Sequence, residues 1–145
     1  RHMSGHFVGE TIPIRQLYDW ALFLQQYAKD VDWARVLELY AAAGMTEFAG
    51  IVQELLHEHL GVTFTECPIQ PLKGKKTKRV WESIITPPKQ DPYKKFSLRY
   101  YIFEAGTFLS NRWKHRIVYP DESYFLLFLR YTGLAIRKML GLLRI

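Results

Sequence analysis

His2 and His6 are the first residues in this 145-residue chain spaced like a metal pair. Side chains at i and i+4 share one face of a helix, where two imidazoles can meet one ion. No glutamate stands between them and no third ligand completes the set, although Glu10 is near. They read as packing or capping histidines. His57 and His59 are two apart and cannot share a helix face; with Glu54 and Glu58 around them they read as solvated. Asp30-Val31-Asp32 has the form of a magnesium-holding pair, but that chemistry needs a strand and a preceding Gly-Ser turn. Here it joins two helical patterns, and Asp32 is better placed as a helix cap. Cys67 lies beside Pro68 with no histidine near it in sequence to act as a base. No phosphate loop, dinucleotide fingerprint or nucleophile elbow occurs. No catalytic residue, metal ligand or cofactor site is expected in this segment.

The basic groups are the stronger lead. Lys73, Lys75, Lys76, Lys78 and Arg79 form a dense run, and Arg112, Lys114 and Arg116 form a second. Trp81, Tyr93, Tyr100, Tyr101, Trp113 and Tyr119 are interleaved with these and neighbouring cations. Cations neutralise phosphates and exposed rings stack bases, so nucleic acid or another polyanion is a candidate partner. Two alternatives use the same residues differently. The aromatics recur at helical spacing and can be core, and the basic groups can dock on an acidic surface of the same chain or of a further domain.

Helices must position these groups. Pro13 suits a helical first turn, and Leu17, Trp20, Ala21, Leu24 and Ala28 follow at helical spacing. Asp32 caps a helix over 33–43 that Gly44 closes. Thr46 is expected to cap the next, over 47–60, with Phe48, Ile51, Val52, Leu55, Leu56 and Leu60 as its stripe and Gly61 as its stop. Turns this short predict three antiparallel helices packed together. Residues 62–74 contain Pro68, Pro71 and Gly74 and read as an extended loop. Thr77 is expected to cap a helix running to Ile85, and residues 89–95 form a polar linker. A long helix is expected over 97–116, with Gly106 as its weak point. A last one, over 122–140, has Asp121 as its cap. The class is all-α: an antiparallel bundle of about six helices with an irregular basic loop in the middle.

Charge divides the chain the same way. Residues 1–72 hold 4 basic and 9 acidic groups, while residues 73–145 hold 16 and 5. The net +6 is therefore −5 followed by +11. The sequence reads as one helical domain in three parts: an acidic three-helix part (1–61), a basic loop, short helix and linker (62–96), and two long basic, aromatic helices (97–145). At 48% hydrophobic residues and 23% charged, it has the balance of a chain with a buried core. One cysteine excludes an internal disulfide and fits a reducing, cytoplasmic setting. The longest apolar run near the end, Tyr124 to Leu129, is far short of the roughly 20 residues a spanning helix needs. The basic, aromatic residues 121–145 also suit a protein partner or a membrane surface.

One stretch carries more than composition. His2-Met3-Ser4-Gly5-His6-Phe7, followed by Arg15-Gln16-Leu17-Tyr18-Asp19-Trp20-Ala21, resembles the helical region of an uncharacterised bacterial nucleotidyltransferase-like family. Val31-Asp32-Trp33, Gly44 and Phe48-Ala49 extend the similarity, which covers about the first 60 residues. The resemblance implies a parent protein with an N-terminal catalytic domain using magnesium and a nucleoside triphosphate. It also implies that this chain is a fragment lacking that domain, which is the favoured reading, although Met3 can also be read as a start. The family's Gly-Ser and Asp-x-Asp strand motifs do not occur here, so no catalytic residue transfers. On this view His2, His6, Arg15 and Asp19 contact substrate or the catalytic domain, with an Arg15–Asp19 ion pair along the helix.

Overall fold

A computed structural model of the chain describes residues 2–9, 11–86, 92–93, 97–129 and 133, and these contain helices and loops but no strand. The helices are α1 (His2–Gly9), α2 (Ile14–Tyr27), α3 (Trp33–Ala42), α4 (Thr46–Leu60), α5 (Lys75–Ile85), α6 (Leu98–Ser110) and α7 (Arg112–Val118). A 3-10 turn, Ala28–Asp30, follows α2, and residues 124–129 are again helical. The all-α class holds.

The centre is α4, which packs against α2, α3, α5 and α7. Every residue from Phe48 to Leu56 is buried, polar Gln53 and Glu54 included. A helix covered all round cannot show a simple apolar stripe. Its extra cover is the 62–74 loop. The Leu72 amide donates to the Gly50 carbonyl at 2.9 Å, and Gln53 Nε2 donates to Cys67 Sγ at 3.1 Å. Gly61, at φ 66°, ends α4 and returns its amide to the Leu56 carbonyl. That left-handed conformation favours glycine.

Around α4, Leu17, Ala21 and Leu24 form the buried side of α2. Asp32 caps α3 by accepting from the Arg35 amide at 3.0 Å, and Trp33 Nε1 ties the 3-10 turn by donating to the Ala28 carbonyl at 2.7 Å. The core also takes Phe7 from α1, Val80 from α5, and Ile117 and Val118 from α7.

Four expected boundaries move. Thr46 lies inside α4 with Met45 at the cap position and no side-chain cap bond. Helix α5 begins at Lys75, because the Thr77 hydroxyl does not cap; it donates back to the Leu72 carbonyl at 2.5 Å. The 97–116 helix is two helices, broken at Asn111 and not at Gly106. Ser123, rather than Asp121, caps the 124–129 segment, receiving the Leu127 amide on its carbonyl and the Leu126 amide on its hydroxyl. The 89–95 linker, apart from Pro92 and Tyr93, lies outside the described residues, as does the last helix beyond 129 apart from Gly133.

Candidate interaction surface

Thr77 and Val80 turn into the core, which sends Lys75, Lys76, Lys78 and Arg79 outward from α5. They do not act alike. Lys76 pairs with Glu47 of α4 at 2.5 Å, and Lys73 Nζ stands 3.8 Å from Glu54 Oε1. The acidic and basic parts are thus joined within one chain. The Lys76–Glu47 pair is largely exposed and adds little stability. Glu54 is different: it is only 3% exposed, and its Oε2 has no hydrogen-bond partner. A buried carboxylate is costly without a cation, so Lys73 offsets a real penalty.

Aromatic rings take up more of the positive charge. The Arg79 guanidinium lies 4.2 Å from the Trp113 ring centre, linking α5 to α7, and Arg112 lies 6.0 Å from that of Tyr124. Lys114 corrects the expectation of a polyanion contact. It is 6% exposed, with its ammonium 5.5 Å from the Phe7 ring and 5.9 Å from Trp113. It packs inside. Of the eight cations singled out in the sequence, Lys75, Lys78 and Arg116 are exposed and appear in no described ion pair or ring contact.

In the first helices, His6, Arg15 and Asp19 are all exposed, and the side chain of His2 lies outside the described residues. The expected Arg15–Asp19 pair does not form among the described residues. Arginine before an acid is the weaker order for such a pair. His59 is not simply solvated, since it stacks on Trp81 with ring centres 3.7 Å apart. Burial pushes the Cys67 thiol up, away from the thiolate a nucleophile needs. Among the described residues, no group of three or more His, Cys, Asp or Glu side chains could hold a metal ion.

His115 sits between Lys114 and Arg116 in the second basic run, yet it is buried. It is 1% exposed, and neither ring nitrogen has a hydrogen-bond partner. Its Nε2 lies 3.5 Å from the Glu122 carboxylate, and the Tyr119 and Tyr124 rings flank it. Burial holds the imidazole below its ordinary titration range, while Glu122 pulls it upward. The depressed value means that the unfolded chain binds the proton more readily. This contribution to stability is therefore complete above about pH 6.5 and is lost as pH falls below that. Thermal unfolding followed by circular dichroism should show a lower melting temperature at about pH 5.5 than at about pH 7.5. Glu122→Gln should steepen that loss and His115→Gln should flatten it. Equal slopes in all three proteins would remove His115 as the cause.

These features define an all-helical, charge-polarised protein whose acidic and basic parts are folded onto each other. Residues 1–61, the segment ending at the Gly61 stop of α4, match the model of a family described as an uncharacterised nucleotidyltransferase. The resemblance is one of that segment. No curated relative and no solved structure matches the chain. No described helix is long and apolar enough to cross a membrane.

Proposed function

We propose that this chain is a helical accessory part of a bacterial, cytoplasmic nucleotidyltransferase. It supports an N-terminal catalytic domain and its substrate and has no active site of its own. One observation carries the reading: the family match stops at Gly61, the residue that ends α4, so it covers whole helices, α1 to α4, and none of the basic part that follows. The resemblance implies magnesium and a nucleoside triphosphate for the parent. On this reading they belong to the catalytic domain, and exposed His6 on α1 is offered to that domain or to substrate.

The test is to express the full-length parent and measure magnesium-dependent transfer from labelled nucleoside triphosphates. Transfer by the full-length protein, with none from residues 1–145 alone, is the expected result. A parent gene with no Gly-Ser and Asp-x-Asp strand before Arg1 would sink the reading.

A second reading rests on Lys75, Lys78 and Arg116. They are exposed on α5 and α7, which the Arg79–Trp113 contact links. Exposed cations of this kind suit the phosphates of a nucleic acid. Oligonucleotide binding should then fall steeply with added salt and be lost when Lys75 and Lys78 are both changed to glutamate. No binding at low salt would dismiss it.

A further inference from the structure

Helix α2 has two kinds of apolar residue. Leu17, Ala21 and Leu24 are buried, yet Ile14, Tyr18 and Leu22 are 46%, 52% and 61% exposed. Steps of four place these three in one line beside the buried stripe. Arg15 and Asp19 border that line, both exposed and opposite in charge, without an ion pair between them. An apolar line of this kind on the exposed side of a helix marks a contact surface.

We propose that this face is a two-fold symmetric contact with a second copy of the chain, in which Arg15 of each copy meets Asp19 of the other. The charges argue for this occupant. A surface made for an acidic or a basic partner carries one sign. This one carries one charge of each sign along a single apolar line, as a patch must if it is to complement itself. An antiparallel crossing centred near Tyr18 sets Ile14 against the partner's Leu22 and Tyr18 against the partner's Tyr18. Arg15 then reaches the partner's Asp19 within the length of its own side chain, and symmetry makes the bond twice. The two residues expected from sequence to touch substrate or a neighbouring domain thus gain a partner in another copy. The inference stands apart from the accessory reading and does not require the parent to transfer nucleotides.

A helix of 14 residues is about 21 Å long. One such crossing lies at the small end of protein interfaces, so the dimer is weak and depends on concentration.

Sedimentation equilibrium on the 145-residue chain tests the proposal. The apparent mass should rise from 17.1 kDa toward twice that value as concentration increases. Leu22→Glu should hold it at the monomer mass with an unchanged melting temperature, since that side chain points outward. Arg15→Asp and Asp19→Arg should each weaken association about tenfold or more, because each sets like charges opposite one another. An equimolar mixture of those two single variants should associate again, one copy carrying two acids and the other two arginines. Helix α6 supplies a control, since Ile102 is 63% exposed on a different helix. A monomer at up to about 1 mM, the range of a very weak complex, overturns the proposal. So does loss of association on Ile102→Glu but not on Leu22→Glu, or a mixture of the charge variants that fails to recover.

Discussion

Phe7→Ala is expected to destabilise the fold by about 3–5 kcal/mol, a large share of a domain's total stability. Phe7 is fully buried, stacked on Phe48 with ring centres 5.4 Å apart and edge-on to Trp113 at 5.7 Å. Truncation removes its transfer energy, opens a cavity and loses both ring pairs, each pair worth about 0.5–1.5 kcal/mol. It also strips a ring from Lys114, whose ammonium lies 5.5 Å from that of Phe7 in a side chain 6% exposed. Loss of that ring contact from a buried cation adds to the cost. The effect should concentrate in α1, because eight residues cannot hold a helix without tertiary contacts. Amides of residues 3–9 should lose hydrogen-exchange protection before the rest of the chain. Phe7→Leu keeps most of the volume and should cost less than half as much in urea unfolding. A loss below about 1 kcal/mol for Phe7→Ala would mean that α1 is not anchored through this ring.

The order of helices around Phe7 was largely readable from sequence, because local chemistry marks the ends. Pro13 precedes α2, Asp32 caps α3, and Gly44 and Gly61 take positive φ at 65° and 66°. Each signal acts within a few residues, where sequence neighbours are also spatial neighbours. The misplaced boundaries have distant causes. Asn111 breaks the 97–116 pattern while its side-chain amide donates to the Gly9 carbonyl at 3.1 Å, 102 residues away. The Thr77 hydroxyl turns to Leu72 rather than to its own helix start. The roles of the charges depended on distance still more. Lys75 and Lys114 look alike in a basic run, and only the packing of α7 against α1 sends Lys114 inward. His115 was hidden for the same reason.

Gly50→Val should be among the most destabilising single changes, by about 3 kcal/mol or more, since it combines overpacking with a broken backbone contact. Added at Gly50, a Cβ would meet the Gln70 carbonyl oxygen at 2.9 Å and Leu72 Cβ at 3.1 Å. The first of these is backbone and cannot simply swing aside. The Leu72 amide also donates to the Gly50 carbonyl, so moving the loop breaks that bond as well. Gly50→Ala makes the sharper test because two effects oppose. In an open helix, alanine in place of glycine gains about 1 kcal/mol. Gly106 of α6 is such a place, with nothing within 4 Å of an added Cβ. Gly106→Ala should therefore stabilise the chain, while Gly50→Ala should destabilise it by about 1–2 kcal/mol. Lifting the 62–74 loop would also free Cys67, now 9% exposed with its sulfur accepting from Gln53. Thiol labelling under native conditions should accelerate in both Gly50 variants and stay unchanged in Gly106→Ala. Stabilisation by Gly50→Ala with unchanged labelling would show that the loop yields freely, and that its contact with α4 contributes little to holding Glu54 and Lys73 together.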